Sequence, residues 1–245
     1  MKTNQKFKSN SKINLQEFQK RNFQIQELIE DFSQNPPRKD PKIIPTERLL
    51  NESNKNLIEI FGKYRDLKKN LILKDGIKKF FLDLLVDPSD IVIYIIFWNF
   101  KARKVNELTQ MEFVNGWNSF SCQTLEEMKN AIPKFRESVS AIDDFKKFYL
   151  YLFSLGSGEP KKVIEIDFAF EIWQKIFSET SEIARNWIKF IDKIKDQIKS
   201  ITYDTWELTF DFFQEFDSNL NNYDPLSYWP VLIDDFVENF KKNHV

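Results

Sequence analysis

Apolar side chains recur at the spacing of an α-helix in five separate stretches between residues 77 and 194. Residues three and four apart share one face of a helix, whereas alternate residues share one face of a strand. The five stretches contain Ile77, Phe80, Phe81 and Leu84; Ile91, Ile95 and Trp98; Phe145, Phe148, Tyr149 and Leu152; Phe168, Ile172 and Ile176; and Trp187, Phe190, Ile191 and Ile194. Residues 161–166 fit a brief strand, but no long alternating pattern competes, so the sequence predicts an all-α fold.

Signals for helix starts fall between these stretches. An aspartate before a proline places a capping carboxylate ahead of a first-turn proline, and a threonine three residues before a glutamate fits a capping box. The signals are Asp87-Pro88, Asp224-Pro225, Thr109 with Glu112, and Thr124 with Glu127. Glycine occurs only five times, which also favours helices. We predict an irregular bundle of about nine or ten short helices.

The first 46 residues differ in character from the rest. Residues 1–12 are rich in Lys, Asn, Ser and Gln, which is typical of disorder. Residues 14–32 have apolar residues near helical spacing, and residues 35–46 hold four prolines, which is typical of a linker. We therefore predict an N-terminal extension, residues 1–46, and one helical domain, residues 47–243.

Composition favours a soluble protein of the cytoplasm or nucleus. The chain has 42% apolar residues and one cysteine, Cys122, which has no partner for an intramolecular disulfide. The longest apolar run, residues 91–98, is too short to cross a bilayer, and residues 1–12 do not resemble a secretory signal. We expect no membrane association and a monomer.

Negative charge is concentrated near the C-terminus. Residues 202–240 contain nine acidic residues and no lysine or arginine. They are Asp204, Glu207, Asp211, Glu215, Asp217, Asp224, Asp234, Asp235 and Glu238. Aromatic residues are interleaved with them, so the segment is expected to pack as well as to carry charge. This pattern favours a basic protein partner over nucleic acid, although an ordinary charged surface on packed helices would have the same composition.

The sequence pattern of residues 60–116 fits two helix–loop–helix units, so calcium binding must be considered. A calcium loop of this type needs oxygen ligands at positions 1, 3, 5 and 12. The candidate loops 66–77 and 101–112 place Lys68 and Arg103 at position 3, where a cation cannot serve as a ligand. We therefore predict degenerate EF-hand-like helix pairs without a bound metal.

The sequence offers no pattern typical of catalysis. Its single histidine, His244, is the penultimate residue, so Cys122 has no histidine nearby in sequence to activate it. Gly156 and Gly158 lack the lysine and hydroxyl residue that follow the glycines of a phosphate-binding loop. An enzyme whose site is not visible in the sequence remains one alternative.

Two interpretations fit the apolar run that ends at Phe100. One is a buried core helix, and the other is a groove for an apolar side chain of a partner. Successive helical residues are turned by about 100°, which places Ile93, Phe97 and Phe100 on one face. We expect that these three and Ile96 cannot all face one core, which favours a cavity open at one end.

The stretch from Trp229 to Glu238, WPVLIDDFVE, resembles the C-terminal signature of the defective-in-cullin-neddylation family, whose common module is the PONY domain. Further landmarks agree in order and spacing across about residues 55–240. They are Asp87-Pro88, Trp98-Asn-Phe-Lys-Ala, Glu112-Phe-Val-Asn-Gly116, Ile132-Pro-Lys134, Phe145-Lys-Lys-Phe-Tyr149 and Asp204-Thr-Trp206.

The resemblance implies a scaffold and not an enzyme. Members of this family promote attachment of a ubiquitin-like modifier to cullins, and they need no cofactor for it. They hold the C-terminal winged-helix region of the cullin and the modifier-charged conjugating enzyme in productive orientation, in company with the RING subunit of the cullin ligase. Two alternatives stay open: a paralogue that inhibits neddylation, and a calcium-sensor-like helix-pair protein.

The resemblance also assigns two sites. The cullin-binding residues of the family correspond here to Asp204, Tyr228 and Asp234, with Tyr228 at a position where alanine is usual. We expect both carboxylates to be exposed and close together. The family's pocket for the acetylated N-terminal methionine of the conjugating enzyme corresponds to Ile77, Ser89, Ile93, Ile96, Phe97, Phe100, Leu108, Leu155 and Ile172.

Overall fold

The computed structural model describes residues 54–157, 162–178, 180–216 and 220–244. Within those ranges ten α-helices and two small sheets confirm the predicted all-α bundle. The helices are α1 (Lys55–Tyr64), α2 (Lys74–Asp83), α3 (Val92–Asn99), α4 (Gln110–Ser119), α5 (Leu125–Glu137), α6 (Ile142–Ser157), α7 (Ile166–Phe177), α8 (Glu182–Ile194), α9 (Tyr203–Glu215) and α10 (Val231–His244). The predicted extension, with its helix at 14–32 and its linker at 35–46, lies outside the described residues.

Each small sheet is one pair of antiparallel three-residue strands. Strand β1 (Leu71–Leu73) pairs with β2 (Glu107–Thr109), with Ile72 opposite Leu108. Strand β3 (Val163–Glu165) pairs with β4 (Ser200–Thr202), with Ile164 opposite Ile201. The first sheet joins the loop between α1 and α2 to the loop between α3 and α4. The second fixes the start of α9, and it confirms the brief strand expected at 161–166.

Two of the four predicted helix starts are confirmed as complete capping boxes. The hydroxyls of Thr109 and Thr124 accept from the backbone N–H groups of Glu112 and Glu127, and each glutamate accepts in return from the threonine N–H. The two aspartate–proline predictions are wrong. Asp87 accepts from the N–H and hydroxyl of Ser89 in a separate turn, and α3 begins only at Val92.

Asp224 likewise closes a local turn instead of capping a helix. Its Oδ1 accepts from the N–H of Leu226 at 2.9 Å, and α10 begins at Val231. Short polar side chains satisfy neighbouring N–H groups equally well in turns and at helix ends. An aspartate before a proline therefore does not indicate by itself whether a turn or a helix follows.

Helix α3 is buried on more than one face. Ile93, Ile96, Phe97 and Phe100 are all buried, so the expectation that they cannot all face a core is wrong. At about 100° per residue the four lie within an arc of about 100°, so one covered face can bury them all. Val92 and Ile95 are buried as well, so α3 also has neighbours on its other sides. Phe97 packs against Phe81 of α2, and Phe100 packs against aromatic rings of α4 and α5.

The second half of the domain is built on a hydrogen-bonded aromatic stack. The rings of Tyr149 and Trp206 are parallel, with centroids 4.3 Å apart. The Tyr149 hydroxyl donates to the Trp206 carbonyl at 2.8 Å, and the Trp206 indole donates to the Tyr149 carbonyl at 3.0 Å. Trp173 donates to the Tyr149 hydroxyl, which joins α7 to the same group. These contacts fix the first turns of α9 against α6 and α7. No described helix is both long and apolar enough to span a membrane.

Candidate functional site

Asp204 lies in the first turn of α9, and its side chain is exposed. Thr202 caps this helix by accepting from the N–H of Thr205. Trp206, two residues further on, is fully buried in the aromatic stack. The backbone that carries Asp204 is therefore held from both sides, while the carboxylate itself faces solvent.

Asp234 lies in the first turn of α10 and is half-buried. The hydroxyl of Tyr223 donates to its Oδ1. Burial and this hydrogen bond to a carboxylate raise the pKa of Tyr223, which keeps the donor proton in place. The structure therefore corrects the expectation of a fully exposed Asp234, because one of its carboxylate oxygens is engaged within the protein.

The carboxylates of Asp204 and Asp234 lie beside different turns of α9. The ring of Tyr223, which holds Asp234, contacts Phe212 and Phe216. Asp204 precedes Phe212 by eight residues, or about 12 Å along the helix axis at 1.5 Å per residue. A surface that uses both carboxylates must therefore extend along α9.

Further acidic residues follow Asp204 along the outer side of α9. Glu207, Asp211 and Glu215 come three, seven and eleven residues later, which is the spacing of one helix face. Asp211 is paired with Lys146 of α6 at 2.5 Å, so its charge is partly balanced. The negative charge along this face of α9 is therefore reduced near its middle, at Asp211.

Tyr228 is fully exposed, at 100% of its reference area. It belongs to the loop between α9 and α10, which also exposes Leu226 at 87%, and the first residue of α10, Val231, is 73% exposed. Sequence reasoning identified Tyr228 but missed its two neighbours. The available signals were an apolar residue, Leu226, within a stretch rich in Asp, Asn, Pro and Ser, and a second one, Val231, outside the apolar stripe of α10 formed by Ile233, Phe236, Val237 and Phe240.

The residues of the predicted acetyl-methionine pocket are mostly parts of the core. Seven of the nine are buried, whereas Ile77 is half-buried and Ser89 is exposed. Phe97 is only 1% exposed, and Phe100 lies against Gly116. Large side chains therefore occupy much of the volume that a pocket at this place would need.

An open cavity of about 1200 Å³ lies beside this region. Its walls come from the β1–β2 sheet, the end of α3, the loop after it, α4 and α6. Leu155 is the one residue of the predicted nine among the lining residues. These are Leu71, Trp98, Asn99, Lys101, Ala102, Arg103, Lys104, Glu107, Thr109, Glu112, Tyr151, Ser154 and Leu155.

The cavity has an apolar floor and a charged rim. Trp98, Tyr151 and Leu155 provide the apolar part, and the Tyr151 hydroxyl donates to the carbonyl of Ala102 at 2.7 Å. Burial, with the nearby negative charge of Glu112, raises the pKa of Tyr151. On the rim, Lys104 pairs with Glu107 at 3.0 Å. Such a cavity suits an apolar side chain followed by polar backbone.

In the two candidate calcium loops, charged side chains are paired with other groups of the protein. Oδ1 of Asp66 accepts from the N–H groups of Lys68 and Lys69. The guanidinium of Arg103 lies 3.5 Å from the carboxylate of Glu112, so the cation at position 3 pairs with the acid at position 12. Among the described residues, no group of three or more His, Cys, Asp or Glu side chains is placed to hold a metal ion.

Cys122 is buried and makes only weak contacts through sulfur. Its Sγ lies 3.4 Å from the Phe120 carbonyl oxygen and 3.5 Å from that of Glu127. Burial raises the pKa of the thiol. A buried, protonated thiol is a poor nucleophile.

Comparison with known proteins points to one group. A family model described as cullin binding matches residues 127–239. DCN1-like protein 3 of Xenopus laevis is 30% identical over 183 residues, which are 74% of this chain and 60% of that protein. DCN1-like protein 3 of Homo sapiens is 29% identical over 189 residues, or 76% of this chain and 62% of that protein. The chain thus spans about three fifths of the length of these relatives.

Proposed function

The chain belongs to the defective-in-cullin-neddylation family, and from that premise we propose that it binds the C-terminal region of cullins and promotes their neddylation. The observation that carries this proposal is the acidic surface formed by Asp204 and the start of α10. It lies within the segment that the cullin-binding family model matches.

Rigidity and charge together suit this surface to a basic partner. The backbone of Asp204 is fixed by the Trp206 stack, and the carboxylate of Asp234 is fixed by Tyr223. Lysine and arginine side chains of a partner would meet one carboxylate that is already held, at Asp234, and one that extends from a rigid backbone, at Asp204, so little conformational entropy is lost on binding. The base-free sequence around them also speeds encounter with a positive surface.

The conjugating enzyme is the second partner in this proposal. Its acetylated N-terminal methionine is an apolar group without the α-amino charge, which would be costly to bury. The cavity bounded by Trp98, Tyr151 and Leu155 offers an apolar floor for such a group. Because Leu155 also belongs to the predicted pocket, this cavity is the place where we expect the peptide to enter.

The proposed mechanism is approximation. A scaffold that holds the acceptor lysine of the cullin near the modifier thioester raises their effective concentration without any catalytic side chain. Neither site would then take part in bond formation. The RING subunit of the cullin ligase would complete the assembly and orient the conjugating enzyme.

One observation favours a second candidate, a paralogue that binds cullin and inhibits or regulates neddylation. The side chains of Phe97 and Phe100 occupy the core where the acetyl-methionine pocket was predicted. A chain that binds cullin but not the conjugating enzyme would compete with activating scaffolds.

Binding and activity together separate these candidates. We expect the wild-type chain to bind a cullin C-terminal fragment and to increase the rate of its neddylation by a charged conjugating enzyme. Asp204→Lys should weaken cullin binding at least about tenfold, because it places like charges face to face. Glu126→Lys, on the exposed side of α5, is the matched control and should bind as wild type does.

Binding without acceleration would support the regulatory paralogue, and no binding to any cullin fragment would refute the proposal. In the same assay, acetylated and unacetylated N-terminal peptides of the conjugating enzyme test the second site. Equal binding of the two peptides would argue against an acetyl-methionine site in this chain.

A further inference from the structure

Three large apolar residues are exposed at the start of α10. Leu226 is 87% exposed, Tyr228 is 100% exposed and Val231 is 73% exposed. Along an extended chain the Cα atoms of Leu226 and Tyr228 are at most about 7 Å apart, and those of Tyr228 and Val231 at most about 11 Å. We call these three residues the apolar ridge.

The loop that carries the apolar ridge is braced at both ends. Tyr223 before it is buried, and its ring packs 5.6 Å from that of Phe216. Trp229 within it packs edge-on against Phe212 and Phe216, at 5.5 and 5.8 Å. Residues 224–228 between these two rings are all exposed, whereas Tyr223 is buried and Trp229 is half-buried, so the two packed rings hold the exposed segment at its ends.

Hydrogen bonds inside the loop add to this bracing. Asp224 accepts from the N–H of Leu226 through its carboxylate and from the N–H of Ser227 through its carbonyl. The N–H of Trp229 donates to the carbonyl of Ser227 at 2.9 Å. The exposure of the apolar ridge is consequently built into the fold.

Three carboxylates lie close in sequence to the apolar ridge, on either side of it. Asp224 and Asp235 are exposed, and Asp234 is half-buried with Tyr223. Residues 202–240 contain no lysine or arginine, and the nearest cation in sequence, Lys241, lies 5.6 Å from the centre of the Tyr223 ring and balances part of this charge. The three carboxylates outnumber this one cation, and a surface that combines exposed apolar side chains with net negative charge fits a partner that has an apolar depression rimmed by basic residues.

We infer that the apolar ridge is a preformed anchor that inserts into an apolar depression, rimmed by lysine or arginine, on the cullin C-terminal region. This inference rests on the proposed function and adds Leu226 and Val231 to its interface. The carboxylates steer and orient the partner, whereas the apolar ridge supplies the desolvated centre that carries most of the affinity.

Alanine or serine substitutions separate the two contributions. Burial of one leucine or valine side chain corresponds to about tenfold or more in affinity. We expect Leu226→Ser and Val231→Ser each to weaken binding to a cullin C-terminal fragment about tenfold, and Tyr228→Ala to weaken it by at least as much. Leu67→Ser, at a residue 79% exposed in the loop after α1, is the matched control and should bind as wild type does.

The salt dependence of cullin affinity distinguishes apolar anchors from charges that steer the partner. Affinity lost through Leu226→Ser should be the same at low and high ionic strength, because burial of apolar surface is not screened. Affinity lost through Asp204→Asn should shrink as salt increases. Thermal unfolding of each variant checks that the fold is intact, which exposed positions are expected to preserve.

Each outcome has a distinct meaning. If wild type binds and Asp204→Asn weakens binding while all three ridge variants bind normally, the ridge inference is refuted and the proposed function stands. If wild type binds no cullin fragment, both are refuted. If the ridge variants bind weakly and Leu67→Ser is equally weak, the effect is not specific to the ridge and the inference is overturned.

Discussion

At the scale of single residues, the geometry of Asp234 depends on Tyr223. The Tyr223 hydroxyl donates to one carboxylate oxygen, while its ring packs on Phe212 and Phe216. The ring fixes the position of the loop, and the hydroxyl fixes the position of the charge. Removing the hydroxyl alone therefore separates these two roles.

Tyr223→Phe is expected to lower the free energy of unfolding by about 1 kcal/mol, through loss of one hydrogen bond to a partly buried group. Cullin affinity should fall less than in Asp234→Ala, because the carboxylate remains but is no longer held. Urea denaturation and binding measured on the same preparations check this. Tyr228→Phe removes a hydroxyl from an exposed ring and should leave stability unchanged. Equal stability of Tyr223→Phe and wild type would show that the hydrogen bond contributes nothing.

The site residues illustrate what sequence can and cannot reveal at this scale. The chain position of Asp204 followed from a motif, and so did that of Tyr228. Leu226 lies in a loop without a period and Val231 lies outside the buried stripe of α10, so the exposure of both depends on how Tyr223 and Trp229 pack. Tertiary neighbours also decided the environment of Phe97, which the pattern of α3 left open between core and groove.

At the scale of secondary-structure elements, signals confined to three or four residues were the most reliable. The boxes at Thr109 and Thr124 involve partners three residues apart, so the sequence specifies both halves. Asp87 and Asp224 each have a neighbouring turn that competes for the carboxylate. The helices were thus predictable in number, but two of their starts were not.

The contact between α3 and α4 depends on Gly116. A Cβ atom at this position would lie 2.2 Å from Cδ1 of Phe100, whose ring is held by Trp117 and Phe135. We expect Gly116→Ala to destabilise the protein by about 1–3 kcal/mol or more, since the packed ring cannot move aside. Gly62→Ala is the matched control, because α1 has open space there. It should stabilise by about 0.5–1 kcal/mol. Chemical denaturation measures both, and a stable Gly116→Ala would show that α3 and α4 can separate.

In the loop between α3 and α4, the positively charged side chain of Arg103 pairs with the carboxylate of Glu112. We expect calcium to bind neither this loop nor residues 66–77. Calorimetric titration should show no stoichiometric heat, and the melting temperature should be the same with calcium and with a chelator. A site of micromolar affinity would contradict this and would revive the calcium-sensor alternative.

At the scale of the whole molecule, buried and half-buried tyrosines make stability sensitive to alkaline pH. Burial is the main cause of a raised pKa at Tyr64, Tyr94, Tyr149, Tyr151 and Tyr223. In the unfolded chain these groups have an ordinary pKa of about 10. Their contribution to stability is therefore complete below about pH 10, and it is lost as the pH rises above that value, because the unfolded chain then releases protons that the folded chain retains.

We expect the free energy of unfolding to fall steeply above about pH 10, by up to about 1.4 kcal/mol per pH unit for each buried tyrosine. Urea denaturation at a series of pH values measures this slope. Tyr94→Phe removes one of the five groups, so its slope should be smaller than that of wild type. Tyr228→Phe removes a fully exposed tyrosine and should leave the slope unchanged. An unchanged slope in Tyr94→Phe would mean that Tyr94 ionises as easily in the folded protein as in the unfolded chain. The Tyr94 side chain in α3 would then be more accessible to water than the structure indicates.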